Sequence, residues 1–507
     1  MGRWGKSLRA PASLCALCCI LALSAGREAV AQDVLSGSGP TGGAGFGTLG
    51  AAAFGAGPFG LGGYGLNSAA ALSSSPTNVT SLGLSAGVGE TDNVLFTSSP
   101  KQSQTLGIGG VNFAVSRHES QLSASMAGNF EDMYFVQHAF SNQLMGSFSG
   151  DATAGLIPGR LNWVIDENYG QNLISPLVQA VPTNLQNVNV MSTGPDLLLH
   201  PGGQSNFLQL GARYARADYA STPFSGYDGI GLFALGHDLS PVSSVAVHVS
   251  DQKMFFYNTV VNQDFSLRKA YGSYQVNGVR TTLELDAGAG QVNDGPGRTT
   301  AWSTTPIAQI ILTRKLSPTM TVSLQGGRQV TDIADSFATL QGSAAGQIVI
   351  ASAYGSTSSY IETFASAGWT FALNRTTLGA TASWQKDAYD LAPLLDATLA
   401  DYQVQLTRQI TPLFSVQLIG AYARTDYYAA HFSSGFPTVD AALNWQVGPK
   451  LQASLQYQYS AASTTGVTQL LGRSGYFNLI SASPVNTLAS YSANTVFLML
   501  TYVPFSE

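Results

Sequence analysis

Residues 450–460 read KLQASLQYQYS. Leu451, Ala453, Leu455, Tyr457 and Tyr459 share one parity, while Gln452, Ser454, Gln456, Gln458 and Ser460 share the other. Successive side chains of a strand point to opposite faces, so this pattern predicts a strand with one apolar and one polar face. The alternation recurs. Leu161, Trp163 and Ile165 oppose Asn162 and Asp166, and Val245, Val247 and Val249 oppose His248 and Ser250. Leu283 and Leu285 oppose Glu284 and Asp286, and Tyr402, Val404 and Leu406 oppose Asp401, Gln403, Gln405 and Thr407. Val439, Ala441, Leu443 and Trp445 oppose Asp440, Asn444 and Gln446. The pattern runs from about residue 80 to a last strand over 495–505, which carries Tyr502 and Phe505.

The connections alternate in length. Short ones fall at 117–120, 157–160, 200–203, 238–241, 276–279, 315–318, 373–376, 409–412 and 447–450, most with Gly, Pro, Asn or Ser. Such residues favour tight turns, and Asn277-Gly278 is the strongest hairpin signal among them. Longer polar connections separate these turns, the longest spanning 332–358 and 462–486, both long enough to fold inward. Short turns at one end and long loops at the other are the asymmetry of an outer-membrane barrel. The expected fold is therefore all-β: a transmembrane antiparallel up-and-down barrel of about twenty strands, with both chain ends on the periplasmic side. Eighteen strands remain if the weakest segments, 81–89 and 188–200, do not form.

Composition separates this reading from its rivals. Charged residues make up 10% of the 507, against about 25% in soluble domains. Mean hydropathy is only +0.10 with 55 glycines, and beyond the N-terminus no apolar run reaches the ~18 residues of a spanning helix. Apolar–polar alternation averages out in this way, whereas helical spans do not.

The N-terminus predicts a signal peptide over 1–31: Arg3, Lys6 and Arg9 precede an apolar core at 14–25, and Ala29-Val30-Ala31 offers a cleavage site before Gln32. Cys15, Cys18 and Cys19 all lie within it, so a mature chain would hold no disulfide or cysteine site. Removing Arg3, Lys6, Arg9, Arg27 and Glu28 from 23 basic and 29 acidic residues leaves 19 and 28, a net charge of about −9. That balance argues against nucleic acid as a partner. Residues 32–79 are Gly-rich and of low complexity, predicting a disordered periplasmic tether ahead of a barrel over 80–507.

Candidate chemistry is sparse. None of the six histidines sits in a paired metal spacing, and no catalytic motif is present. The expectation is a non-enzyme without cofactor or metal. On the faces assigned to the lumen, Arg213, Glu284, Asp286 and Asp401 carry charge, while Gln403, Gln405, Gln417, Gln456 and Gln458 supply amides. Amides both donate and accept without a strong field, which suits hydrated neutral solutes such as carbohydrate. A water-filled interior with no selected ligand fits them equally. Trp163, Trp302 and Trp445 read as interfacial girdle residues.

Three segments carry a resemblance. GLSAGVGETDNVLF (83–96), NWVIDENYGQN (162–172) and NVNVMSTGPDLLLH (187–200) resemble, in that order, segments of an outer-membrane β-barrel family found beside exopolysaccharide gene clusters. Glu90 stands where that family has an aromatic residue before Thr91-Asp92-Asn93. The resemblance implies an outer-membrane barrel whose partners, besides lipid, are a polysaccharide and its export machinery. The readings to be weighed are therefore a polysaccharide conduit or accessory, a general diffusion porin, and an outer-membrane hydrolase.

Overall fold

The computed structural model of the protein describes residues 78–174, 180–260, 262–293, 303–343, 350–351, 359–389, 393–429, 431–465 and 490–506. The predicted signal peptide, nearly all of the predicted tether, Trp302 and most of the 462–486 loop lie outside them.

The alternating segments form strands. In chain order they are β1 (Val79–Thr91), β2 (Gln104–Glu119), β3 (Leu122–Phe135), β4 (Gln143–Ile157), β5 (Leu161–Leu173), β6 (Leu185–Leu199) and β7 (Asn206–Tyr219). Then come β8 (Gly226–Ser240), β9 (Ser243–Phe256), β10 (Phe265–Asn277), β11 (Thr281–Asn293), β12 (Ser303–Ser317) and β13 (Met320–Thr331). Helix α1 (Ile333–Ser343) and the two-residue β14 (Ile350–Ala351) interrupt the series. It resumes with β15 (Tyr360–Leu373), β16 (Thr376–Tyr389), β17 (Ala397–Thr411), β18 (Phe414–Tyr427), β19 (Phe432–Gly448), β20 (Leu451–Thr465) and β21 (Tyr491–Ser506).

Leaving β14 aside, twenty strands form one antiparallel ring. β13 pairs directly with β15, and β1 pairs with both β2 and β21, closing the ring from Ser81↔Ser506 to Thr91↔Thr495. Closure leaves no sheet edge, which is what a spanning sheet requires where no water can satisfy free N–H and C=O groups. Both of the weakest predicted strands form, as β1 and β6, and the latter starts earlier than expected, at Leu185. The first and last strands start and finish beside the short turns, so both barrel ends lie at that end.

Local chemistry sets the turns. Pro241, Pro318, Pro412 and Pro449 each follow directly on the end of a strand and open a two-residue turn. Proline's fixed φ suits that first central position, and each strand runs two or three residues into the expected turn before stopping at it. Gly159 (φ +66°) and Asn374 (φ +51°) supply left-handed positions in two others.

The two faces differ. Val245, Val247 and Val249 on β9, Tyr402 and Val404 on β17, and Val496, Leu498, Leu500 and Tyr502 on β21 are all exposed. Similar residues continue around the ring, an apolar band that water would not tolerate and hydrocarbon would. Trp163 and Trp445 belong to the exposed set.

Inside, the long-loop end is packed. Ile333, Ala334 and Phe337 of α1 join Val188 of β6, Tyr219 of β7, Tyr360 of β15 and Tyr389 of β16 in one buried cluster. Those strands stand on nearly opposite sides of the ring, and Phe224 and Leu395, from the loops after β7 and β16, lean in to meet them. A second cluster gathers Val94 and Phe96 of the β1–β2 loop with Leu106, Met133, Met145, Leu185 and Phe497. Inward faces are therefore apolar near this mouth, where the alternation predicted polar ones.

Candidate functional site

The site is the inner wall and the loop that narrows its long-loop mouth. α1 leaves β13 and reaches across to β4, β5 and β6. Asp332 caps it: Oδ1 accepts from the backbone N–H groups of Ala334 (2.8 Å) and Asp335 (3.0 Å), the orphan donors of a first helical turn. The side-chain oxygens of Ser336 and Tyr360 lie 2.5 Å apart and tie the helix to β15. Farther along the same loop, β14 pairs in parallel with Gln171–Asn172 of β5. It fits there because the β4–β5 ladder stops at Phe148↔Tyr169, leaving that edge of β5 free. α1 thus narrows the mouth and β14 completes the wall.

Carboxylates cluster beneath α1. Gln252 Nε2 donates to Asp228 Oδ2 (2.6 Å) and to Asp332 Oδ2 (3.3 Å), bridging strand and loop. Burial pushes the Asp332 carboxyl up to about 8; Asp335 and Asp228 add to the rise, while the Asp335 backbone N–H and Lys269 oppose it. Burial also raises Asp335, again against Lys269. Glu362 of β15 accepts from Gln329 (2.6 Å).

Below the mouth, β17 to β20 bring several predicted residues together. Gln405 and Asp440 share a row with Gln458, and Gln417 and Gln456 occupy the next row. Asp401 and Gln403 stand farther up β17, on the face opposite Tyr402 and Val404. Gln456 donates to Ser454 (3.1 Å), while its Oε1, Gln403 Oε1 and both oxygens of Asp401 have no hydrogen-bond partner. Glu284 and Asp286 lie five strands away on β11, opposite the face of Leu285.

Arg213 has a different part. Its guanidinium donates to both oxygens of Asp196 (2.8 and 2.6 Å) and to the carbonyls of Pro195 (3.2 Å) and Ala212 (3.1 Å). The β6–β7 ladder is interrupted at Gly194 and Pro195. Pro195 has no N–H to give, and a Cβ on Gly194 would strike the Ala212 carbonyl. Arg213 supplies the donors that this break lacks, committing its charge to the wall.

The three family-like segments meet at such structural nodes. In the first, Asp92 accepts from the backbone and side chain of Asn494 (both 2.8 Å), and Asn93 donates to the Ser492 carbonyl (2.9 Å). They fasten the seam between the first and last strands. The other two are neighbours: Trp163 Nε1 donates to Thr193 (2.8 Å) and Ser192 to Asp166 (3.1 Å).

Sequence reasoning did not single out Glu131, Asp151, Asp166, Asp228 or Asp440, although the parity of Asp166 and Asp440 was visible. Nor did it foresee α1. Away from β17–β20 the inward face adds acids such as Asp151 and Glu284, and apolar patches near the mouth, to neutral polar residues such as Asn129, Gln252 and Ser323. His118 and His248 each approach a serine oxygen (3.0 and 2.9 Å). Among the described residues no histidine is hydrogen-bonded to both a serine and a carboxylate, and no three His, Cys, Asp or Glu side chains gather as a metal set.

No family model matches the chain, and no curated protein does. Among solved structures it is similar to the FrpB iron transporter from Neisseria meningitidis (10% identity, TM-score 0.41, 86% of this chain and 84% of that one). It is also similar to the siderophore receptor PirA from Acinetobacter baumannii (8%, 0.43, 84% and 81%) and the copper transporter OprC (9%, 0.39, 84% and 80%). Likeness this distant carries no functional argument.

Proposed function

We propose that the chain is a non-enzymatic transport barrel of the outer membrane, termini periplasmic, serving as a conduit or accessory in polysaccharide export or surface deposition. The observation that carries the transport reading is the closed ring, apolar outside and largely polar inside, whose mouth is narrowed by its own inserted helix. A mouth narrowed in this way favours a selected passenger over unrestricted diffusion. The amide rows on β17–β20 offer donors and acceptors to sugar hydroxyls. The polysaccharide link itself rests on the resemblance of residues 83–96, 162–172 and 187–200.

Two experiments test it. In liposome-swelling assays a dedicated conduit excludes small neutral sugars, whereas rapid, indiscriminate swelling would replace it with a general diffusion porin. Deleting the gene should abolish a surface polysaccharide, and a full complement of surface glycan would remove that part of the proposal.

A further inference from the structure

Charge on the inner wall is one-sided. Asp151 on β4 stands directly across the ladder from Asp166 on β5, Glu284 and Asp286 share β11, and Asp401 and Asp440 face inward from β17 and β19. Among the described residues, three inward-facing cations lie on the strands: Arg213 bound to Asp196, Lys269 near the mouth, and Lys315 at the short-turn rim. Of the six acids of the middle wall only Asp166 feels one of these cations, Arg213, which is already bound to Asp196.

One of these acids lacks donors altogether: Asp401 is 3% exposed with neither carboxylate oxygen hydrogen-bonded, while Asp440 is 8% exposed with Gln458 donating to it and Oδ1 unpartnered. A desolvated carboxylate without a donor is costly, and an arriving cation offsets that cost. The surroundings select the kind of cation. Gln403 and Gln458 flank these acids, and Ser383 lies across the ladder from Asp401. Hydroxyls and amides beside isolated carboxylates suit a hydroxylated solute bearing an ammonium group, whereas a bare metal ion would need several ligands converging on one point.

Resting on the transport reading above, we infer that the passenger carries positive charge: a hydrophilic, amino-bearing solute or glycan whose ammonium groups pass Asp401 and Asp440. An anionic polymer would meet repulsion from the same wall at every level. The neutral carbohydrate expected from the amides alone gives way to an aminated one.

The test uses the full-length protein in planar bilayers under a KCl gradient, with glucosamine hexamer and its fully N-acetylated counterpart as probes. The expected reversal potential has the sign of cation preference, shrinks between 0.1 and 1 M salt as screening grows, and moves toward zero in Asp401→Asn/Asp440→Asn. The glucosamine hexamer should block current at roughly tenfold lower concentration than the acetylated one, as charge-assisted hydrogen bonds would give. Anion preference, or equal block by both hexamers, overturns the inference. If no current is seen, also in a variant with α1 undocked (Phe337→Ala), the transport reading has failed by itself. Calorimetric binding of the glucosamine hexamer to solubilised protein then decides: binding lost in the double variant upholds the charged site, and no binding to wild type rejects it. Should the double variant not fold, Asp440→Asn alone serves both assays.

Discussion

Removing the Phe337 ring should open the long-loop mouth. Phe337 is 0% exposed, in a cluster that joins α1 to Val188, Tyr219, Tyr360 and Tyr389. A phenylalanine buries at least ~150 Å², and at ~25 cal/mol per Å² its loss removes about 4 kcal/mol, within the roughly 3–5 kcal/mol of buried Phe→Ala changes. The barrel itself is held by twenty paired strands, so the loss falls on the docking of α1. At about 1.4 kcal/mol per factor of ten, the docked-to-undocked ratio drops roughly a thousandfold. Single-channel recordings should show larger or longer-lived openings in Phe337→Ala than in wild type. Val260→Ala, at a loop residue 93% exposed, should leave them unchanged. A Phe337→Ala protein that retains its β-sheet circular dichroism and conducts as wild type would refute α1 as the constriction.

Three further outcomes follow from the same contacts. Arg213→Leu leaves Asp196 charged and largely buried without its partner, a change that costs about 3–5 kcal/mol; urea midpoints should fall, and Asp196→Asn added to it should restore part of the loss. Asn93→Ala removes donors to the Thr97 and Ser492 carbonyls, worth about 1–3 kcal/mol if left unsatisfied, and should raise protease cleavage near residues 92–102 more than elsewhere. The docked carboxyl of Asp332 lies above its ordinary value, so its docking energy is complete below about pH 3.8 and is lost as pH rises toward about 8, and burial raises Asp335 in the same direction. Conductance should therefore grow from acid to mildly alkaline pH. Asp332→Asn keeps a capping side chain and should flatten that rise; an unaltered pH profile in this variant would exclude Asp332 as the titrating group.

Much of the barrel was legible because one period governs it. Leu455 and Tyr457 against Gln456 and Gln458 state which face meets water and which does not, and strand length follows from the turns. The pattern failed where strands have no polar face. Leu106, Ile108, Met133 and Phe497 point inward yet are apolar, because loops fold over them and dry that end of the lumen. α1 was hidden for a related reason: its stretch, IADSFATLQGS, is polar enough to pass for loop, and its apolar side exists only against strands far away in sequence. The acids were visible singly, but their sum was not. Asp151 and Asp166 become a facing pair only through the β4–β5 register, which no local pattern fixes.

A repeating alternation has a defect that the family-like segments repair. Twenty strands that look alike specify neither where the ring closes nor which register it closes in, since any two apolar–polar strands pair acceptably. Asp92 and Asn93 make contacts that only the β21 end offers, so they select the closing pair. Gly194, Pro195 and Arg213 act likewise at one joint of the wall, since a proline and a close-packed glycine fit the β6–β7 ladder at a single register. The residues that do this work sit in short, scattered stretches of the chain. A resemblance resting on them therefore speaks first to how the barrel is built. The proposed passenger is tested instead on the inward acids of β4, β11, β17 and β19 and in the loop carrying α1, away from the contacts that close the ring.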